Sequence, residues 1–209
     1  MGIELIPLPI EFYLQPTVQS AREILGQILA FQSPKGLVAG RIVEAEAYRL
    51  IDPASHSFRG KTLRNASMWG PPGHAYIYLI YGIHWCINAV TQPEGESDAV
   101  LIRALEPIEG IEIMQENRPT ERNINRLCSG PANLCKALGI KGALDGADLM
   151  NGPLIIAQGE PAPDENVIQT TRIGISNAQE LPWRFYVKSS PSVSKRDRSK
   201  EPMAERKKR

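Results

Sequence analysis

The chain is poor in the residues that build cross-links and metal sites. It has three cysteines, Cys86, Cys128 and Cys135, an odd number with no close paired spacing. That favours reduced thiols in a cytoplasmic protein over a disulfide framework or a zinc site. It has only three histidines, and neither a His-x-x-x-His nor a Cys-x-x-Cys pair occurs, so no metal site is expected. No apolar run is long enough to span a membrane. The start, Met1-Gly-Ile-Glu-Leu-Ile-Pro7, lacks the basic-then-apolar layout of a signal peptide, and Ile6 stands where myristoylation needs Ser or Thr. Glycine-rich phosphate cradles of the Walker or dinucleotide type are missing, and the surroundings of Ser129 do not form a Gly-x-Ser-x-Gly elbow.

What is present begins with Arg41-Ile-Val-Glu-Ala-Glu-Ala-Tyr48. Successive side chains of an extended strand point to opposite faces. Val43, Ala45 and Ala47 then share an apolar face, and Glu44, Glu46 and Tyr48 share the other. Neighbouring carboxylates resist ionising together, so one of them is a candidate acid or base with a raised pKa. The competing reading is an edge strand with a solvated face.

With 209 residues and a hydrophobic fraction of 42%, the chain can bury one substantial core. Its net charge of +1 hides an asymmetry. Residues 195–209 hold eight Lys or Arg against three Asp or Glu, a net +5, which leaves −4 for residues 1–194. We therefore expect a domain over 1–194 and a basic, disordered tail over 195–209 that either binds polyanions or only solubilises. Thr17 to Leu29 carries a helical stripe with Thr17 as N-cap. Strands are expected over Leu37–Ala47, Ala75–Tyr81, His84–Val90 and Ala99–Leu105, with short ones around Leu154–Ala157, Arg172–Ile175 and Arg184–Val187. Pro107 should open a helix to about Glu116, and another should follow Ser129-Gly-Pro131 and end near Gly139. Asp52 to Gly73 reads as a long functional loop. The pattern predicts a single α+β domain with a mostly antiparallel, curved sheet, flanking helices and a protruding β-hairpin.

The hairpin turns at Gly82-Ile83. Tyr76 and Tyr78 share one strand face, and Tyr81 lies on the other beside the turn. Tyr81 either folds back onto the body or serves as a wedge between stacked bases. Tyr78 and Tyr48 are suited to sandwich a flat ligand. The polar loop offers His56, Arg59, Lys61, Arg64 and Asn65, and its cations suit phosphate contacts. His74 and His84 flank the hairpin and pack or face solvent. Arg103 interrupts the apolar run Val100–Leu105 and needs an anionic partner, for which Glu44 and Glu46 are the candidates. The pair is either a structural salt bridge or a device holding one ordered water.

Several of these segments resemble the alkyladenine (3-methyladenine) DNA glycosylase family. They are Arg41–Tyr48, Ser55-His-Ser57, Arg64-Asn65, Tyr76-Ile-Tyr-Leu-Ile-Tyr-Gly82, Asn88, Leu101-Ile-Arg-Ala-Leu-Glu-Pro107, Cys128-Ser-Gly-Pro131 with Leu134-Cys135, and Arg184-Phe-Tyr186. Ala21-Arg-Glu-Ile-Leu-Gly26 resembles the family's N-terminal helix. The matches run in order over nearly the whole domain. Thr62-Leu63 departs from a frequent Thr-Pro, and Met68-Trp69 from Met-Phe. The resemblance implies a cofactor-free, monofunctional base-excision enzyme, monomeric, acting on double-stranded DNA with damaged purines, away from membranes and, in a bacterium, at the nucleoid. It implies that Glu46 is the general base and that Arg103 helps hold the attacking water. It implies that Tyr48, His56 and Tyr78 grip the flipped base and that Asn88 crowds the 2-amino group of guanine. By the same resemblance Tyr81 fills the gap in the duplex and Met68 presses on the opposite strand. Arg59, Lys61 and Arg64 remain candidates for the DNA backbone. Two alternatives stay open: a glycoside hydrolase using Glu44 and Glu46, and a non-catalytic DNA-binding protein.

Overall fold

The computed structural model describes residues 4–197. Eight strands form one curved antiparallel sheet. They are β1 (Ile28–Ser33), β2 (Gly36–Tyr48), β3 (Ala75–Ile80), β4 (His84–Thr91), β5 (Asp98–Glu109), β6 (Leu154–Ala157), β7 (Val167–Thr170) and β8 (Arg184–Val187). The main path runs β3-β4-β5-β2-β1-β6. β2 is central. One edge pairs with β5; the other pairs first with β1 and then, at Glu44–Glu46, with β8. The edge-strand reading of Arg41–Tyr48 is thereby corrected, because Glu44 and Glu46 are both fully buried. As the alternation predicts, Ala45 and Ala47 join the main core with Ile77, Ile87, Val100 and Ile102.

Helices α1 (Ile10–Leu14), α2 (Thr17–Glu23), α3 (Ile111–Asn117), α4 (Ile124–Leu127) and α5 (Pro131–Leu138) flank the sheet. α5 shows the expected punctuation, with Pro131 in its first turn and Gly139 closing it at φ 78°. Among the described residues no helix is long and apolar enough to cross a membrane.

Four expectations about elements fail. The helix at Thr17 stops at Glu23, and Ile28-Leu29 open β1. A short apolar run fits a buried strand as well as a helical stripe, and here the Gly26 and Ile42 amides are satisfied across to β2 and Gln27. Thr17 is the first helical residue rather than the cap, and its hydroxyl donates to Asp98 at 2.7 Å. Pro107 does not open a helix: β5 continues to Glu109, Gly110 takes φ 69°, and α3 starts after it. Residues 172–175 are not a strand, and the paired segment is Val167–Thr170. Gly174, at φ 75°, turns the chain away from the sheet.

Candidate active site

The irregular part of the β2–β5 ladder lies at the two glutamates. Register shifts flank Glu44 and leave Val43 on β2 and Arg103 on β5 without direct cross-strand partners. Such bulges bend strands and re-aim side chains. Here Arg103 reaches both carboxylates. Its Nε donates to Glu44 Oε1 at 3.0 Å and its Nη1 to Glu46 Oε2 at 3.1 Å.

The two glutamates then differ. Glu44 accepts four hydrogen bonds. Arg103 Nε, Arg184 Nε (2.8 Å) and the Ser194 hydroxyl (3.0 Å) reach Oε1, and the Ser194 N–H reaches Oε2 (2.7 Å). Burial pushes its pKa up, but Arg103, Arg184 and the two Ser194 bonds outweigh this and hold it below the ordinary value. Glu44 is therefore a charged structural anchor, and the raised pKa expected for a paired carboxylate does not occur at it. Glu46 accepts three hydrogen bonds, from the Tyr48 hydroxyl (2.9 Å), Arg103 Nη1 and the Ile173 N–H (2.8 Å). An ionised carboxylate offers about four acceptor positions. Glu44 takes three donors on Oε1 and one on Oε2, two of them from guanidinia; Glu46 takes two on Oε2 and one on Oε1, with a single guanidinium among them.

In front of Arg103 opens a cavity of about 370 Å³. Tyr48, His56, Tyr78, Asn88 and Arg103 all line it, as do Tyr81 and Met68. Glu46 sits just behind, bonded to three lining residues, Tyr48, Arg103 and Ile173. Tyr76 and Tyr78 stack at 5.4 Å between centroids, and His56 meets Tyr78 edge-on at 4.5 Å. The Tyr76 hydroxyl and His56 Nδ1 are 2.9 Å apart, and Asn88 Nδ2 donates to the Tyr76 carbonyl at 3.0 Å. Burial raises the pKa of Tyr48, Tyr76 and Tyr78, so these rings stay neutral phenols. Burial and the nearby Arg64 lower that of His56, so it stays neutral too. The arrangement is a flat, aromatic slot with a guanidinium and a carboxylate at its inner end.

Beside the slot the hairpin protrudes. Tyr81 is 83% and Ile83 70% exposed, so Tyr81 does not fold back onto the body. Tyr81 and Gly82 both take the left-handed conformation, at φ 53° and 71°. Met68 is 2% exposed and packs with Tyr76, Val90 and Ala99 in the slot's lining. The second exposed apolar group at the tip is Ile83. Arg59 and Lys61 are exposed on the loop. Arg64 is exposed as well, and its Nη2 donates to the Leu79 carbonyl at 2.9 Å, which braces the hairpin. Asn65 organises the loop through the His56 and Gly60 carbonyls and a capping pair with Thr62.

Sequence reasoning missed several residues here. Tyr76 was findable, since it shares the Tyr78 face by period two. Cys86, which also lines the slot, is the cross-strand neighbour of Tyr78. Arg172, Ser194 and the wall Ile173–Asn177 carried no local signal, because they reach the glutamates and their strand from more than a hundred residues away in sequence; Arg184 stood in a family motif without a role.

The methylpurine-DNA glycosylase family matches residues 11–191. A protein of Methanoculleus marisnigri provisionally named 3-methyladenine DNA glycosylase is 50% identical over 192 residues, covering 90% of this chain and 99% of that one. Proteins with the same provisional name from Carboxydothermus hydrogenoformans and Methanocella arvoryzae are 46% and 50% identical, again over 90% of this chain and over 99% and 96% of theirs. A match of that extent to the family, and to relatives of nearly equal length, means that this chain belongs to the methylpurine-DNA glycosylases.

Proposed function

We propose that this protein flips damaged purines out of duplex DNA and hydrolyses their N-glycosidic bond with an activated water, leaving an abasic site. The substrates are alkylated bases such as 3-methyladenine and 7-methylguanine, together with hypoxanthine and ethenoadenine. The observation that carries the reading is the aromatic slot lined by Arg103, with the Glu46 carboxylate behind it bonded to three of the lining residues.

A base inside the stack is out of reach, so the nucleotide must leave it, at a cost of a few kcal/mol. Tyr81 at the exposed tip fills the vacated space, and Ile83 adds a second apolar contact. The base enters between Tyr48, Tyr78 and His56, and Asn88 narrows the slot against guanine. An alkylated ring nitrogen makes the base cationic, which favours stacking on tyrosine and departure from the sugar. As the C1′–N bond breaks and the base leaves with the bonding electrons, the ionised Glu46 faces the oxocarbenium-like C1′ and takes a proton from the water, held beside Arg103, whose oxygen bonds to C1′. Arg59, Lys61 and the charged face of Arg64 meet phosphates. None of the described residues lining the slot is a lysine, which supports direct water attack over a Schiff base.

The glycoside-hydrolase reading needs Glu44 as a proton donor or nucleophile, and four hydrogen bonds to an ionised Glu44 oppose that. The deciding experiment follows free base released from oligonucleotides that each carry one hypoxanthine, one ethenoadenine or one methylated purine. Lesion-dependent release without strand scission is expected. Silence on all three lesions, with intact binding, would leave only a DNA-binding protein.

A further inference from the structure

Residues 172–178 form the slot's far wall, and that wall is fastened by the side chain of its own first residue. Arg172 is buried, and its guanidinium forms a bidentate pair with Asp52, whose side chain is also buried. Nη1 donates to the Ala47 carbonyl at 3.0 Å, between Glu46 and Tyr48 on β2. Nη2 donates to the Ala178 carbonyl at 3.3 Å, at the wall's other end. The guanidinium carbon lies 4.7 Å from the Tyr48 ring centroid and 5.3 Å from that of Trp183. The next residue, Ile173, sends its N–H to Glu46. Between the two anchor points, Ile173–Asn177 line the slot.

We propose that Arg172, held by Asp52, is a positioning residue for base excision: it staples residues 172–178 into the slot's wall and thereby sets the Ile173 N–H on Glu46 and the plane of the Tyr48 ring. The inference rests on the glycosylase reading above. A planar fork is needed because two carbonyls and a carboxylate must be satisfied in different directions at once, under two aromatic faces. With the staple loosened, Glu46 loses the donor that fixes one of its oxygens, so the carboxylate is no longer held in one orientation. Catalytic alignment tolerates displacements of well under an ångström.

The test compares wild type, Asp52→Asn and Arg172→Lys as full chains, in single-turnover excision at saturating enzyme. Substrates are duplexes bearing one hypoxanthine or one 7-methylguanine. Lysine keeps the charge but not the fork. Hypoxanthine is a neutral, poor leaving group and depends on a well-placed water, whereas the charge on 7-methylguanine already weakens its bond. We expect hypoxanthine excision to fall roughly tenfold or more in Asp52→Asn, and 7-methylguanine excision to fall by a clearly smaller factor. The enzyme concentration giving half the maximal rate should stay within about twofold, because the wedge and phosphate contacts are untouched. A merely structural role would lower the active fraction and scale both substrates together. Equal losses, or no loss, in a folded variant would overturn the proposal. Should Asp52→Asn fail to fold, Arg172→Lys carries the same comparison. Amide hydrogen exchange on the wild type is independent of either variant. Ile173 should be protected, and its amide resonance should move on Glu46→Gln. Free exchange at Ile173 would overturn the staple. A wild type that releases neither base would overturn the functional reading instead, and the exchange result would still decide whether the wall is stapled.

Discussion

A carboxylate can take a proton only from a water that reaches it: the three donors to Glu46 all line the slot, whereas of the donors to Glu44 only Arg103 does. Glu44 and Glu46 have the same surroundings in sequence and the same full burial, so the donors aimed at them decide their chemistry. Glu46→Gln should cut single-turnover excision by ~10²–10⁴-fold, the range of a lost general base, with lesion binding retained and a smaller stability loss than Glu44→Gln, because Arg103 keeps Glu44 and no second guanidinium loses a partner. Glu44→Gln should act through the fold. It leaves the buried Arg103 and Arg184 guanidinia without their shared anion, a loss of about 3–5 kcal/mol, read by urea unfolding. The pH dependence follows the same logic. Glu44 in the fold titrates below its ordinary 4.5, so its stabilisation is complete above that value and disappears as pH falls through the folded value. Wild-type stability should therefore drop with acid in that window, and Glu44→Gln should show a shallower slope from a lower start. Tyr81 offers the opposite trade. A tyrosine in the left-handed region costs roughly 1–2 kcal/mol, so Tyr81→Gly should raise the melting temperature slightly while slowing excision from duplex DNA. That defect should shrink when the lesion is mispaired and cheaper to flip. A variant slowed equally on paired and mispaired lesions would assign Tyr81 to the fold.

At the scale of elements, the end of the domain behaves as part of the site. After β8 the chain returns across β2, where Ser194 caps Glu44 and the Lys195 carbonyl accepts from Arg184. Arg196 donates to the Lys188 and Ser190 carbonyls, and the Asp197 N–H donates to the Tyr186 hydroxyl at 3.1 Å. The tail expected from residue 195 thus has its first three residues hydrogen-bonded to the domain, and the remainder of that expectation lies outside the described residues. Two truncations should separate these parts. Removing residues 198–209, with their run of cations, should weaken DNA binding and flatten its salt dependence while the saturated excision rate holds. Removing residues 194–209 should in addition expose Glu44 and lower the unfolding temperature. Equal melting temperatures for the two truncations would mean that Ser194 contributes nothing to the anchor.

At the scale of the molecule, one sheet brings the slot's residues together on its inner strands and carries the protruding hairpin at its end. β2 and β5 supply Glu46, Tyr48 and Arg103; β3 and β4 supply Tyr78, Asn88 and the protruding tip. Among the described residues lining the slot none is a lysine. Borohydride added during turnover should therefore trap no covalent enzyme–DNA adduct, as judged by a gel-shifted band under denaturing conditions. A robust adduct would replace the water mechanism.

What the sequence determined by itself was local. Strand alternation put Glu44, Glu46 and Tyr48 on one face, period two joined Tyr76 to Tyr78, and glycines and prolines bounded the hairpin and α5. These patterns depend on neighbours within a few residues, which is why they were legible. The helix read into Thr17–Leu29 and the strand read into Arg172–Ile175 failed for the complementary reason: short apolar runs suit either state until long-range pairing chooses. Tertiary structure alone decided that β2 lies inside the sheet, that Met68 is buried against the slot, and which glutamate stands behind the slot. Apart from the Tyr48 hydroxyl, two residues from Glu46, the donors to the two carboxylates arrive from positions 103, 173, 184 and 194, between 57 and 150 residues along the chain. The donor set is a property of that assembled shell, so no window of sequence around Glu44 and Glu46 contains it.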